Sequence, residues 1–168
     1  MYLLSLCIPT YNRANYLEKT LESICEQSEF NSTKDIEIII SDNNSSDHTE
    51  SVCNHFVQLY GERIKYFKNT TNIGGDLNFK CVLSKGSGTL LKLNNDTLTH
   101  RKGSLAGMLE TIRSYIDINP IIFFSNGKSN SKQIQECYDL DSFLARISFN
   151  CAWIGGFSIW KDNFDLFE

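Results

Sequence analysis

Short apolar runs alternate with stretches of helical periodicity through most of this chain, and each run stops abruptly at a polar loop. Residues 3–8 (L-L-S-L-C-I) form the first run, ended by Pro9, and Leu17, Leu21, Ile24 and Cys25 then recur at the spacing of one helix face. Residues 36–41 (I-E-I-I-I-S) are the second run. Val52, Cys53, Phe56, Val57 and Tyr60 follow on another helical face, which Gly61 closes, and Asp47 with Glu50 has the form of a capping box at its start. Residues 64–67 make a third run, 76–85 a short helix ending at Gly86, and 89–93 a fourth run. Leu105, Met108, Leu109, Ile112, Tyr115 and Ile116 share a further helical face, and Pro120 opens a fifth run at 121–125. Runs of this kind, starting near Leu3, Ile36, Ile64, Thr89 and Ile121 and separated by helices, cannot pair as hairpins. They predict the α/β class: a Rossmann-like sandwich with a mainly parallel central sheet and helices on both faces.

Composition narrows the partners. With 168 residues, 41% of them hydrophobic, the chain reads as one domain able to bury a core. The formal net charge is −4 and the Lys and Arg residues are scattered, which argues against nucleic acid. No stretch approaches the roughly 20 apolar residues of a transmembrane helix, and the first ten residues lack the pattern of a signal peptide. The expected location is the cytoplasm, with peripheral association at the inner face of the membrane compatible with it. Cys7, Cys25, Cys53, Cys81, Cys137 and Cys151 form no C-x-x-C pair and read as reduced core residues, and His48, His55 and His100 lack the spacing of a zinc site.

In an open parallel sheet the ligand crevice lies beyond the carboxyl ends of the strands, which directs attention to four loops, at 9–13, 42–46, 69–75 and 94–98. The first, P-T-Y-N-R, stands where a dinucleotide fold would carry G-x-G-x-x-G, and neither that pattern nor a P-loop is present. Tyr11 suits stacking on a base; Pro9 shapes the turn, and Thr10, Asn12 and Arg13 suit hydroxyl or phosphate oxygens. In S-D-N-N-S-S-D, Asp42 is a candidate acceptor for ribose or base donors, with an Asx-turn role as the alternative, while Asp47 reads as a helix cap. The third loop places Asn72 and Asn78 around Gly74 and Gly75, which permit close approach or positive φ, and Asp76 reads as a cap of the next helix. In the fourth, Asn94, Asn95 and Asp96 group oxygen donors of the kind that a hard divalent cation shares with substrate phosphates.

Taken in order, these loops resemble those of family 2 inverting glycosyltransferases with the GT-A fold. L-C-I-P-T-Y-N-R-A-N-Y-L-E-K-T-L-E-S-I is similar to that family's first strand, nucleotide loop and first helix; E-I-I-I-S-D-N-N-S-S-D-H-T resembles its second strand and acidic loop, and N-I-G-G-D-L-N-F its N-x-G-G-x-x-N segment. The likeness spans residues 3–98, the expected nucleotide-sugar-binding half, with 99–168 as the start of an incomplete acceptor-side half.

The resemblance implies transfer of a sugar from a nucleoside-diphosphate sugar to the hydroxyl of a glycan or lipid-linked glycan acceptor, in the synthesis of cell-surface polysaccharide. Pro9, Thr10, Tyr11, Arg13, Asp42, Asn72, Gly74, Gly75, Asn94 and Asn95 would hold the nucleotide sugar, and Asp96 a divalent cation, Mg²⁺ or Mn²⁺. The sequence departs from the family pattern at Asn94 and Asn95, where acidic residues are usual. The general base is expected beyond the segment C-A-W-I-G-G-F-S-I-W, after which Asp162, Asp165 and Glu168 are the carboxylates, and no motif selects among them. Trp153 and Trp160 read as core before sugar platforms. A non-catalytic or truncated nucleotide-sugar-binding remnant is the alternative reading of the same residues.

Overall fold

The computed structural model describes residues 1–125, 134–147 and 154–167. Strands β1 (Leu4–Thr10), β2 (Ile36–Asp42), β3 (Ile64–Lys68), β4 (Leu90–Leu93) and β5 (Ser158–Trp160) form one sheet in the order β3-β2-β1-β4-β5. All neighbours are parallel except β4 and β5. Helices α1 (Ala14–Cys25), α2 (Ser28–Ser32), α3 (Thr49–Tyr60), α4 (Gly75–Ser84), α5 (Ser104–Tyr115) and α6 (Leu140–Ile147) complete the elements, with short 3₁₀ turns at Gly61–Arg63, Ile154–Gly156 and Lys161–Phe167.

Alternation along each strand divides the core. Leu4, Leu6 and Ile8 with Ile36, Ile38 and Ile40 face α1, α3 and α5, whose stripes (Leu17, Leu21, Ile24; Val52, Cys53, Phe56; Leu105, Leu109, Ile112) are buried against them. The opposite face carries a smaller cluster of Cys7, Ile39 and Leu91, covered by Val82 of α4 and by Phe164. Full burial of one such side chain is worth about 1.5–3 kcal/mol, so the helices of the larger layer dominate the stability of the sheet.

β1 runs two residues past its expected end and includes Pro9 and Thr10, paired with Ser41 and Asp42. Proline is tolerated there because β4 pairs with β1 only as far as Cys7, leaving one flank of Pro9 without a neighbouring strand. The fifth run is a correction: residues 121–125 do not join the sheet, and the fifth strand is Ser158–Trp160, antiparallel to β4. Ile121 is exposed, and the segment contributes one isolated bridge, Phe123 to Phe157. It docks beside β5 instead, where Ser158 Oγ donates to Ile122 O at 2.7 Å and Trp160 Nε1 to Pro120 O at 2.7 Å. Trp160 is thus core, as expected, whereas Trp153 and Cys151 lie outside the described residues. The other five cysteines are free thiols, Cys7, Cys25 and Cys53 buried; burial raises the Cys25 and Cys53 thiols to about 12.

Glu37 places a carboxylate with no exposed surface near the amino end of β2. It accepts bonds from Ser5 Oγ (2.6 Å), Lys65 Nζ (2.9 Å), and Ser87 N (2.6 Å) and Oγ (2.8 Å), joining β1, β2, β3 and the turn before β4. Burial pushes its pKa up, but Lys65, Ser5 and Ser87 outweigh this and hold it below the usual carboxylate range. Replacing Glu37 by Ala should cost about 3 kcal/mol in urea denaturation, because buried donors lose their acceptor. Since the folded-state pKa is depressed, the contribution is full above the unfolded value and disappears as pH falls through the folded one; a parent-like stability curve for the variant at pH 7 would refute this role.

Candidate functional site

The parallel register brings the ends of β1, β2 and β4 together. Thr10 pairs with Asp42 across β1 and β2, and Thr10 Oγ1 donates to Asp96 Oδ2 at 2.9 Å from the loop after β4. Arg13, at the start of α1, reaches the same carboxylate, with Nη1 3.2 Å from Asp96 Oδ1, and Thr20 Oγ1 on α1 donates to the Asp96 carbonyl at 2.9 Å. Asp96 is 5% exposed, and burial raises its pKa while Thr10 and Arg13 oppose the shift. Tyr11 has no such partners and stands 46% exposed at this end of the sheet.

The first two loops are laced into one body. Asn12, with φ of 52°, accepts at Oδ1 from Ser46 N at 2.8 Å, and its own N–H donates to Ser45 Oγ at 2.8 Å. Asp47 serves two helices: Oδ2 accepts from Ala14 N of α1 at 3.1 Å, and Oδ1 from Thr49 N and Oγ1 at 3.0 and 2.6 Å. The expected capping box does not form: His48 is the N-cap of α3 without a side-chain cap bond, Asp47 stands one residue before it, and Glu50 pairs with Lys68 at 2.8 Å.

Asp42 is buried with both oxygens engaged. Oδ1 accepts from Ser45 N (2.8 Å) and Ser45 Oγ (2.5 Å), and Oδ2 from Tyr66 Oη (2.8 Å). Burial and the Asp42 carboxylate both push the Tyr66 phenol above its usual pKa, so it remains a donor. The carboxylate therefore shapes the turn and does not project into open crevice, which is the Asx-type alternative seen in the sequence.

A ladder of asparagines fixes the third loop. Asn43 Nδ2 donates to Asn72 Oδ1 (2.8 Å) and Gly74 O (3.2 Å), and Asn43 Oδ1 accepts from Ile73 N (2.9 Å) and Asn69 Nδ2 (3.2 Å). Asn78, buried, bonds Ser41 through both ends of its amide. Gly74 has φ of 86°, a conformation that requires glycine, whereas Gly75 begins α4 in ordinary helical geometry. Asp76 is exposed in the first turn of α4 without a side-chain cap bond, contrary to its expected capping role.

In the fourth loop Asn94 is fully buried and faces inward, its Oδ1 2.8 Å from His100 Nε2 and its Nδ2 3.1 Å from Asn95 O. Asn95 is partly exposed. Burial, followed by the nearby Lys92 ammonium, lowers the His100 pKa to about 4, so the imidazole is neutral and donates through Nε2–H. Lys92, itself buried and lowered to about 8 by desolvation, donates to Leu93 O at 3.0 Å and Gly155 O at 2.5 Å. It thereby holds the start of the C-terminal segment against the site end of β4. Gly156 is required there, since a Cβ would meet the Phe123 ring at 2.4 Å.

β5 then runs away from the site, and Lys161 N bonds Thr89 O at the amino end of β4. Asp162 consequently lies at the wrong end of the sheet to serve as a base, while the Asp165 side chain and Glu168 lie outside what is described.

Among the described residues no group of three His, Cys, Asp or Glu side chains is placed to hold a metal ion. Asp96 is one carboxylate with a guanidinium beside it, so a divalent cation would need oxygens supplied by a bound ligand.

Sequence reasoning missed Thr20, Tyr66, Asn43 and His100. Thr20 carried a signal, a polar residue one position before Leu21 on an otherwise apolar buried face, and Asn43 belonged to the polar run already singled out. Tyr66 and His100 had none.

An open sheet of this order, with its polar loops at one end, is the architecture of GT-A glycosyltransferases. The chain matches crystal structures of S. aureus TarS 1-349 (TM-score 0.65, 18% identity, 80% of this chain and 38% of that one), which has also been solved in complex with UDP. It also matches the mannosyltransferase PcManGT from Pyrobaculum calidifontis in complex with GDP-Man and Mn²⁺ (0.59, 20%, 71% and 33%). The family model for glycosyl transferase family 2 covers residues 5–156, and the chain belongs to that family. Relatives include abequosyltransferase RfbV of Salmonella typhimurium, 37% identical over 80% of this chain and 38% of the relative. Another is the GalNAc(5)-diNAcBac-PP-undecaprenol beta-1,3-glucosyltransferase of Campylobacter jejuni, 38% identical over 94% and 51%. The chain thus spans about half the length of these relatives or less.

Asp42→Ala should lower stability by about 2 kcal/mol, because Tyr66 Oη and the Ser45 turn lose a buried acceptor. Thermal denaturation checks this, and an unchanged midpoint would show the bonds to be dispensable.

Proposed function

We propose that the chain forms the nucleotide-sugar-binding part of a glycosyltransferase that moves a sugar from a nucleoside diphosphate to an acceptor hydroxyl in cell-surface polysaccharide or glycan synthesis. The observation that carries this reading is the meeting of Thr10, Arg13 and Asp96 beside exposed Tyr11 at the carboxyl ends of β1 and β4. Tyr11 offers a face for the base, and Arg13 a planar fork for diphosphate oxygens. Asp42, Asn72, Gly74 and Gly75 act mainly by giving the nucleotide loops a fixed shape, as Pro9 does for the first of them. Residues 1–98 serve the nucleotide and 99–168 begin the acceptor side.

Asp96, with Asn95 beside it, would hold a Mg²⁺ or Mn²⁺ ion that stabilises charge on the leaving diphosphate. The related structure with GDP-Man and Mn²⁺ supports the choice of ion. In the free protein Arg13 neutralises Asp96; an arriving diphosphate offers the guanidinium a stronger partner and leaves the carboxylate to the cation. Metal and nucleotide should therefore bind together better than either alone.

The location proposed is the cytoplasm at the inner face of the membrane, where a lipid-linked acceptor would be met. Among the described residues no helix is long and apolar enough to cross a membrane.

Calorimetry with UDP, GDP and dTDP, with and without Mn²⁺, tests this function. The expected result is binding of one nucleotide, tightened by Mn²⁺, with the metal effect lost in Asp96→Ala. Only the ionised carboxylate ligates, and burial holds its pKa above the ordinary aspartate range. The metal effect should therefore be full at neutral pH and fade, as pH is lowered, earlier than for an exposed aspartate of pKa about 4. Failure to bind any nucleoside diphosphate would reject the proposal. Nucleotide binding without turnover of any donor sugar by the intact chain would favour the non-catalytic alternative.

A further inference from the structure

We infer that His100 is a positioning residue for this reaction: paired with Asn94, it fixes the turn that presents Asp96, and position 94 serves the protein interior and not the cation. The inference rests on the reading of Asp96 as the cation's ligand.

The turn is short and follows the last residue of β4 directly, so its shape depends on what grips it. Asn94 N donates to Cys7 O at 2.8 Å, anchoring the turn to β1. Its side chain is spanned between His100 and the Asn95 carbonyl, and no part of it is exposed. His100 is itself held on two further sides. Its N–H donates to Ser23 Oγ on α1 at 2.9 Å, and its Nδ1 lies 3.4 Å from Ser104 Oγ on α5. The imidazole therefore braces the turn against α5, the His100 backbone ties it to α1, and Thr20 on α1 holds the Asp96 carbonyl itself.

This arrangement accounts for an amide where the family pattern has an acidic residue. A neutral imidazole donating to a neutral amide leaves no uncompensated charge in a fully buried place. The charged group that faces this pair is Lys92, on β4 beneath it. A carboxylate at 94 would be neutralised by His100 and Lys92 and would add nothing at the crevice. Position 95, partly exposed, is where an added charge would reach a cation beside Asp96.

The test is Mn²⁺-dependent binding of the nucleoside diphosphate that binds the parent, by calorimetry, in Asn94→Asp, Asn95→Asp, His100→Gln and His100→Ala. Melting temperatures are read alongside, so that loss of fold is separated from loss of position. Asn95→Asp should tighten binding by about tenfold, since a second carboxylate adds to the attraction for a divalent ion, and Asn94→Asp should give no gain. His100→Ala should weaken metal-dependent binding by about tenfold or more, as removal of a residue that orients a metal ligand does. His100→Gln keeps an N–H near the Nε2 position and should restore most of the loss, at a melting temperature that need not match the parent. Tightening in Asn94→Asp equal to that in Asn95→Asp would overturn the inference, as would a Gln variant as weak as the Ala variant. A parent indifferent to Mn²⁺ would instead reject the metal reading of Asp96, and the inference with it.

Discussion

A carboxylate buried without exposure must be matched by donors, and in this fold that requirement falls on two residues of the second strand, Asp42 at its end and Glu37 near its start. The donors to Glu37 come from β1, β3 and the turn before β4, so a slip of any one of them by a residue would strand a charge in the core. Hydrophobic burial alone does not fix register so firmly, because Ile36, Ile38 and Ile40 would pack in several registers against equally greasy helices. Once Glu37 locks the amino-terminal side, the opposite ends of three parallel strands are fixed as well. That is why Thr10 lies beside Asp42, and why the loop after β4 returns Asp96 to Thr10 across 86 residues of chain.

The site end is built on a different principle. Beside the carboxylates of Asp42, Asp47 and Asp96, much of its rigidity comes from neutral side chains that satisfy one another. Asn12 with Ser45 and Ser46, and Asn43 with Asn72 and Ile73, join segments distant in sequence, while Asn94 with His100 closes the fourth loop on itself. A ligand-binding surface held in this way loses little freedom when it binds, so more of the contact energy appears as affinity. The same satisfaction extends to Asp42, whose two oxygens both accept bonds from inside the protein.

Legibility of the sequence followed this division. Apolar runs and helical patterns report burial, so four strands and the helices α4 and α5 could be read to within a residue or two, and α1 and α3 by their apolar faces. Residues 121–125 misled because an apolar run after proline looks alike whether it joins a sheet or docks beside one, and what decides is pairing with residues 156–160 far along the chain. The short strand β5 offered too few residues for any period to show. Loop residues were found by where strands end, which places a residue near the crevice without saying which way its side chain turns. Tyr11 and Asp42 were equally good candidates on that ground, and only burial separates them.

The altered acidic motif gains its meaning from the same distinction. Counted along the sequence, two asparagines in the fourth loop look like two charges lost from a cation site. Seen in three dimensions they are unlike: one is enclosed beside a neutral imidazole and a buried ammonium, the other lies partly open beside the single carboxylate. A charge missing from the first position was never in reach of the crevice. On the proposed reading of Asp96, the deficit is then at most one carboxylate, and an ion that also takes diphosphate oxygens would be held with that shortfall, provided Arg13 gives up Asp96 when the diphosphate arrives. The weak point of such a site would be less the number of ligands than the competition between the Arg13 guanidinium and a metal ion for the same oxygen atoms.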